Sequence, residues 1–550
     1  MSLNMSRRSV LRAAGAGAAV LAAGPALTAC DSDGGPVSVS NEGTKQAAWP
    51  AHVPAKVHYD LPALPENGAP AVLDYPSLPL PSSVRSKPGD GSTVSCMALS
   101  YGAAVKLDSS NRLVRAVGDA MGVTLKPRFV IDTGTSYTTA LATMMAGGDQ
   151  PDILMIPATG APSISEFIRS KCADLSEYLS GDAIKEYPNL AALPTRGWQL
   201  MGRIGGGIYG VPTYRYNAPQ VGLFADRDKL EKAGIWGRGV GVQEFTDAMA
   251  KLSVNGRYGI GSSSAAAFGW TYHAGAAGAP NWWGESGGSF RFTADTPEFE
   301  QAVENMHRFH THRIYNPDAL TLGAGDAQPK FLNGTWLTWS NGTGAAAQIF
   351  SQVRGFTPDL AFPYGDRPNT PGGDSVFGFT VIKKSSPARI KMLLRILDFF
   401  AAPFGTKEFE LTRYGVEGVH FTRDKGGAPA HATRLGQTEN STNLPFQYFN
   451  MAPQPLFFPG LADLTKRLYT SQKALLPICV PDASAAYRLS SATFSAKWAG
   501  VSPALNSAVM DAVSGKTKVS DWKGTVARIK QQNGIDRMAE EFAEAKSAAR

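Results

Sequence analysis

Cysteine is scarce in this chain, which has four in 550 residues, at positions 30, 96, 172 and 479. The three that follow residue 30 are an odd number, so a complete disulfide framework is excluded. Two alternatives stay open for Cys96, Cys172 and Cys479. They form one disulfide and one free thiol, or three buried thiols, which the apolar surroundings of Cys96 and Cys479 favour.

Runs of basic residues and long apolar runs are also lacking. The formal net charge is +7, and Arg7, Arg8 and Arg12 supply three of these charges in a leader without acidic residues, which leaves 7 − 3 = +4 for the rest of the chain. No Lys/Arg run is interleaved with aromatic residues, so we predict no nucleic-acid partner. After the first thirty residues, no apolar run reaches the length of about 20 residues that a membrane-spanning helix needs.

Signatures of cofactor and metal sites are weak. There is no H-E-x-x-H motif and no P-loop. Gly205, Gly207 and Gly210 have the G-x-G-x-x-G spacing, but Val211-Pro212 follows, and a proline there favours an extended chain over a pyrophosphate-binding helix. We interpret the glycines as a tight turn before a strand, and we predict no cofactor.

Three histidines, His307, His310 and His312, lie close together in the sequence. On a helix, only the first two share a face, and a metal ion needs a third convergent ligand. We therefore predict a solvated helix end and no metal site.

The N-terminus carries a strong targeting pattern. Residues 6–12 read SRRSVLR, typical of a twin-arginine export signal, and an apolar run of small residues follows from Ala13 to Ala26. Residues 27–30, LTAC, resemble a bacterial lipobox, which implies cleavage before Cys30 and lipidation of its thiol. The alternative is a plain signal peptide with an incidental cysteine. We predict a protein anchored by lipid to the outer face of the cytoplasmic membrane.

Composition then changes along the chain. Residues 31–92 are rich in proline and small residues and predict an extended spacer, although Leu61, Leu64, Leu73, Tyr75 and Leu78 could pack on the body. From Thr93 to Pro157 the pattern reads strand, helix, strand, helix, strand, which predicts an α/β fold with a parallel sheet. A length of 550 residues requires two or more domains.

Several later segments resemble extracellular solute-binding proteins of family 1, which serve ABC importers. In chain order they are QPDILMI, ADLSEYL, GGGIYGVPTYRYNAPQVGLFADRDKLEKAGI, PKFLNGTWLTWSNGTGAAAQI, DSVFGFTVIKKSSPARIKMLLRILDFF and YGVEGVHF. This order is that of the family. The resemblance covers about Thr93 to Phe542 and is nearest to the large oligosaccharide-type branch.

The resemblance implies a two-lobe periplasmic-binding-protein fold of type II, with parallel-sheet lobes joined by hinge strands. Lobe 1 would comprise residues 93–216 and 375–450, and lobe 2 residues 217–374 and 451–550, with hinges near Tyr214–Gly222 and Asp374. An ABC permease would be the partner, and a small-molecule ligand, an oligosaccharide, would be captured by closure of the lobes.

Sugars stack their apolar faces on aromatic rings and bond their hydroxyl rims to polar side chains. Aromatic residues in glycine-rich stretches, at the end of the first strand and in the predicted hinge are therefore candidate ligand contacts, and Trp339 matches the binding-site tryptophan that the resemblance implies. The candidates are Trp339, Trp336, Trp282, Trp283, Trp270, Tyr101, Tyr214 and Tyr216, with Glu285, Asn341 and Asp374 as rim partners.

Two other classes of function stay open. The spacing of paired carboxylates in a glycoside hydrolase is set by the fold and cannot be read from sequence, so a surface lipoprotein that cuts polysaccharide is one alternative. A polysaccharide-binding or adhesive lipoprotein without a transport role is the other. We predict a binding protein and no enzyme.

Overall fold

The computed structural model describes residues 46–548 except for 66–67, 101–104, 108–109, 133–135, 159–162, 202, 217, 374–375 and 441–444. The leader, including Cys30, therefore lies outside the described residues, as do Tyr101 and Asp374. Within the described part of the chain, no helix has the length and apolar character needed to cross a membrane.

The chain forms two mixed α/β lobes, and their strands are short. The strands are β1 Thr93–Ser100, β2 Thr124–Ile131, β3 Ile153–Pro157, β4 Gly210–Tyr214, β5 Val221–Asp226, β6 Tyr258–Gly261, β7 Trp283–Ser286, β8 Ser289–Phe292, β9 Trp336–Gly342, β10 Pro358–Ala361, β11 Thr370–Gly372, β12 Val376–Ile382, β13 Phe421–Arg423, β14 Pro429–Ala432 and β15 Cys479–Pro481.

Helices cover the sheets. In chain order they are α1 Arg112–Met121, α2 Ser136–Gly147, α3 Ile164–Lys171, α4 Ser176–Leu179, α5 Pro188–Ala191, α6 Thr195–Met201, α7 Arg227–Lys232, α8 Val242–Leu252, α9 Trp270–Ala276, α10 Pro297–Thr311, α11 Ala324–Leu332, α12 Ala346–Phe350, α13 Pro387–Phe400, α14 Lys407–Tyr414, α15 Arg434–Glu439, α16 Ala462–Leu475, α17 Ala492–Lys497, α18 Val501–Val513, α19 Trp522–Asn533 and α20 Ile535–Ala548.

The first lobe is built on a five-stranded sheet of order β2-β1-β3-β12-β4. Strands β1, β2 and β3 are parallel, as their alternation with helices predicted, whereas β12 runs antiparallel to both β3 and β4. Helix α13 begins at Pro387 after the cap Ser386, whose side chain accepts from the Arg389 N–H. It packs its buried face into the core of this lobe.

The glycines of the G-x-G-x-x-G pattern form the predicted turn and strand. Gly205 and Gly206 have φ of 58° and 79°, values that favour glycine, and the turn that they form brings Ile204 opposite Gly207. Strand β4 begins at Gly210, so no helix follows the turn. This arrangement lacks the helix N-terminus on which dinucleotide binding depends.

The second lobe is built on a four-stranded sheet of order β10-β5-β9-β6. Its core has two parts. One joins α8, α9 and α10 to the C-terminal helices α17 to α20, and the other surrounds Phe224, Phe331 and Trp339 next to α16. Residues 462–548 therefore complete the second lobe.

Residues 46–92 pack on the folded body, so this part of the predicted spacer is not a free tether. Ala69, Val72, Tyr75 and Leu80 are buried, whereas Leu78 is 48% exposed. The segment is extended and forms only isolated bridges, such as Ala71 with Leu456. Its apolar residues fill gaps between larger elements, which a pattern of isolated leucines and prolines does not reveal.

A buried histidine in the second lobe makes folding sensitive to acid. His273 is fully buried, with Nδ1 2.8 Å from the Tyr364 hydroxyl and Nε2 3.1 Å from the Tyr315 hydroxyl. The Tyr315 hydroxyl donates to the Phe268 carbonyl, so it accepts from Nε2–H, and Nδ1 accepts from Tyr364. Burial lowers the pKa of His273 to about 3. The imidazole is therefore neutral in the folded protein.

We expect this group to reduce stability as the pH falls from about 6.5 towards 3, because there only the unfolded chain takes up the proton. The contribution is about 1.4 kcal/mol per pH unit in that window. His273→Gln should therefore flatten the dependence of the unfolding free energy on pH, measured by urea denaturation between pH 3.5 and 6.5. An unchanged slope would show that the histidine is not buried in its neutral form.

Asp398 supplies a control of opposite sign. Burial raises the pKa of its carboxyl to about 7, although the backbone N–H groups of Leu190 and Asn189 lower it in part. Its stabilising contribution is complete at low pH and is lost as the pH rises from about 4 to 7. Asp398→Asn should therefore make the rise of stability with pH steeper, whereas His273→Gln makes it shallower.

Candidate functional site

The chain crosses between the two sheets at the positions predicted for the hinges. It leaves the first lobe after β4 at Tyr214, enters β5 at Val221, and returns between Gly372 and Val376. It crosses again between Tyr448 and Ala462, where α16 begins. These crossings connect the ends of the two sheets. That the crossings bend as hinges stays a prediction.

A cavity of about 200 Å³ lies among these crossings. The first crossing contributes Tyr216, Ala218 and Pro219, and the last contributes residues 454–458. The rest of the lining comes from both lobes and from the N-terminal segment, namely Ala69, Thr343, Gly344, Ala347, Leu360, Phe404, Phe409, Arg413, Tyr414, Leu468 and Gln472. Six of the lining residues are aromatic, and Thr343, Arg413, Gln454 and Gln472 add polar groups to the wall.

The polar groups of this cavity are strongly desolvated. Burial lowers the pKa of the Arg413 guanidinium, which donates to the Gln447 side chain. Burial raises the pKa of the Tyr216 phenol, and interaction with Tyr59 of the N-terminal segment raises it further. A cation and a phenol in apolar surroundings can bind hydroxyl groups with strong directional preference.

The lobes also touch on the side where the sheet of the first lobe presents the carboxyl ends of its parallel strands. Helix α6 packs against a 3₁₀ helix, Ala485–Ser490, of the second lobe. A cavity of only about 20 Å³ remains there, between Ala158, Met201, Phe379 and Arg488. Arg488 is held by an ion pair with the buried Asp482. The two lobes are therefore in contact at this edge.

Three of the predicted tryptophans are core residues of the second lobe. Trp283 is 1% exposed and lies between Phe292, Trp498 and Phe542. Trp270 is 5% exposed, and its indole N–H donates to Asn506. Trp336 is 1% exposed. These three rings are enclosed by protein and have no free face for a ligand. The expectation that they stack on a sugar is therefore corrected, because they pack in the core.

Trp282 and Trp339 keep some exposed surface, although Trp339 belongs to the core cluster of Phe224 and Phe331. Trp339 is 9% exposed and packs edge-on against Phe224. Trp282 is partly exposed, with its ring against Trp270 and Trp498, and its φ of 55° is uncommon for a residue other than glycine. Both remain candidates for ligand contact.

The remaining candidates fall at separate places. Tyr214 is buried at the end of β4 and packs edge-on against Tyr216, which lines the hinge cavity. Asn341 is half-buried near the end of β9, opposite Gly222. The predicted contacts of Tyr101 and Asp374 cannot be located, since both lie outside the described residues.

Glu285 lies in the hairpin of β7 and β8 and is held by that hairpin. Its Oε1 accepts from the Gly288 N–H at 2.7 Å, and Oε2 lies 2.5 Å from the Lys546 Nζ. Residues 284–288 also have G-x-S-x-G spacing, but a hairpin turn lacks the strand-to-helix geometry of a nucleophile elbow.

The structure favours no metal site at the histidines. His307 Nδ1 lies 3.0 Å from the Val513 carbonyl oxygen, and the His310 ring packs on Phe268. Among the residues described, no cluster of three or more His, Cys, Asp or Glu side chains could hold a metal ion. Cys96, Cys172 and Cys479 are free thiols, which corresponds to the second of the two alternatives, although Cys479 is only partly buried.

Several cavity residues escaped the sequence analysis. Phe404, Arg413 and Tyr414 come from α14 and the turn before it, and Phe457 comes from the stretch PLFFPG. A local signal existed only for PLFFPG, where two phenylalanines stand between prolines. The others meet the cavity because the return of the chain to the first lobe brings α14 beside the crossing.

Two α/β lobes, separately cored and connected by crossings, define a two-lobe binding protein. The chain belongs to the bacterial extracellular solute-binding protein family, whose model matches residues 119–395. Members of this family and the structural neighbours are binding proteins and not enzymes. No curated protein sequence matches the chain.

Solved structures share the fold at low sequence identity. An extracellular solute-binding protein from Bifidobacterium longum subsp. infantis is similar with a TM-score of 0.62 and 10% identity, over 83% of this chain and 98% of that one. Alginate-binding protein AlgQ2 gives 0.57 and 14%, over 85% and 100%. An N-glycan transport solute-binding protein from Streptococcus pneumoniae gives 0.57 and 12%, over 83% and 98%.

Tight packing of Trp336 gives a prediction for the second lobe. A Cβ at Gly261 on β6 would lie 2.0 Å from the Trp336 ring, so Gly261→Ala should lower the unfolding free energy by about 1–3 kcal/mol. Gly147→Ala is the control, since nothing lies within 4 Å of a Cβ there. Equal melting temperatures for the two variants would contradict burial of the Trp336 ring against β6.

Proposed function

We propose that this protein is the carbohydrate-capturing lipoprotein of an ABC importer and that its ligand is an oligosaccharide held between the lobes. The observation that carries the proposal is an aromatic-lined cavity framed by the chain crossings, with Tyr216, Tyr414 and Arg413 in its wall. Aromatic faces suit the C–H faces of sugar rings, and a half-buried cation suits their hydroxyls.

The size of the cavity supports capture by closure. About 200 Å³ is less than the 300–1,000 Å³ typical of ligand pockets, so an oligosaccharide could enter only if the lobes separate. Similar proteins add support from their descriptions, which name human milk oligosaccharide, N-glycan and alginate. We propose Tyr216, which lines this cavity, and Trp282, Trp339 and Asn341, which lie outside its lining, as ligand contacts. Tyr101 and Asp374, which are outside the described residues, complete the proposed set.

A thermal-shift screen against xylo-, arabino-, malto- and uronide oligomers tests the ligand class. A ligand that binds only the folded protein raises its melting temperature, so one class should give a selective, saturable rise. The sugars recovered afterwards should be intact; cleaved products would support the alternative of a glycoside hydrolase. If all four classes leave the melt unchanged, the carbohydrate proposal fails.

A pair of variants tests the location of the site. Tyr216→Ala should remove most of the ligand-induced rise in melting temperature, because the ring is lost from the cavity wall. Glu285→Gln should keep the rise, because that side chain is engaged with Gly288 and Lys546. The reverse pattern would move the site to the β7–β8 hairpin.

Lipid anchoring at Cys30 is a separate part of the proposal. Residues 46–92 pack on the body and therefore do not lengthen the proposed tether. Cys30→Ser should move the protein from the membrane fraction to the soluble fraction, whereas Cys479→Ser should not. Retention of Cys30→Ser in the membrane fraction would exclude a lipid anchor at this residue.

A further inference from the structure

The N-terminal strap, residues 46–92, bonds to both lobes. Towards the first lobe, the Tyr75 hydroxyl donates to Glu410 Oε2 at 2.7 Å, and the Lys407 N–H donates to the Pro81 carbonyl at 3.0 Å. Near the start of the strap, the Arg203 guanidinium lies 3.6 Å above the Trp49 ring. These contacts involve α14 and the turn before β4.

Towards the second lobe, the strap bonds to α16. The Ala69 N–H donates to Gln472 Oε1 at 3.0 Å, and Gln472 Nε2 donates back to the Ala69 carbonyl at 3.1 Å. The Tyr469 hydroxyl donates to the Pro62 carbonyl at 2.9 Å. Ala69 and Gln472 are both buried, so the loss of one partner leaves polar groups without compensation.

Helix α16 packs in the second lobe. Ser471 donates to Asp359 on β10, and Leu464 and Leu468 pack in the same core as Phe224 and Trp339. The strap also lines the cavity between the crossings through Ala69 and pairs with the last crossing through Leu456. A rotation of one lobe against the other must therefore break or shift strap contacts on one side.

From this arrangement we infer that the strap is a clamp that holds the lobes in the closed arrangement described above, in which α6 touches residues 485–490. The inference rests on the proposed function in one respect, since it assumes that the lobes can separate. The clamp bonds are present without a ligand, so they set how often the empty protein opens.

Hydrogen exchange of the ligand-free full chain, purified in detergent, tests the clamp. Gln472→Leu removes both bonds to Ala69, and we expect the amides of residues 195–201 and 485–490 to exchange about tenfold faster, since each lost bond is worth several-fold in the opening equilibrium. These residues lie at the remote contact between the lobes, so a merely local effect would leave them unchanged. Ser471→Ala is the matched control on the same helix, because its hydroxyl bonds Asp359 and not the strap.

Faster exchange confined to the strap and to α16 would overturn the inference. Should Gln472→Leu fail to fold, Tyr469→Phe removes one strap bond with little change in volume, and the same remote amides should respond in the same direction. If the remote amides do not respond in Tyr469→Phe, the inference is likewise overturned. Failure of this inference can be distinguished from failure of the proposed function. The oligosaccharide screen measures ligand binding, whereas this experiment measures hydrogen exchange in the ligand-free protein.

Discussion

The whole structure depends on one strand, β12, which returns from the second lobe and inserts between β3 and β4 of the first. The sheet of the first lobe is incomplete until the chain has built the second sheet and come back. The insertion is tight, because a Cβ at Gly378 would lie 2.3 Å from the Ile156 carbonyl oxygen. Because β12 runs antiparallel to β4, the end of β4 and the start of β12 lie at the same end of the sheet. The outgoing and returning crossings therefore meet the sheet at the edge formed by these strand ends. That edge is where the two lobes meet.

Local patterns predicted the elements of this framework well. The alternation of strands and helices from Thr93 to Pro157 was sufficient for the parallel part of the first sheet, and Pro387 marked the first turn of α13. The glycines at 205–210 were correctly separated from a nucleotide loop by the proline that follows them. In each case the deciding physics, side-chain periodicity or backbone freedom, acts within a few residues. The division into two lobes came from resemblance to a family.

The tryptophans show why the site was harder to predict. Their glycine-rich surroundings indicated loops, but one glycine makes room for a large ring and another lies in a strand. Gly261 lies directly against the Trp336 ring, and Gly284 is part of a strand beside Trp283. Some partners of Trp283 and Trp270 come from more than 200 residues further along the chain, namely Trp498, Asn506 and Phe542. Burial by such distant partners leaves no local signal.

A two-lobe protein must keep each lobe rigid and leave the connection between them adjustable. Here the large apolar clusters belong to one lobe or the other, so rotation of the lobes need not disturb either core. Such a rotation would mainly disrupt the interactions of the few groups between the lobes. These groups are mostly polar side chains or single aromatic rings. Gln472, Tyr216 and Arg413 are such groups, and each is buried enough for its partners to matter. Because the N-terminal strap supplies the partner of Gln472, a segment outside both sheets can alter the balance between open and closed lobes.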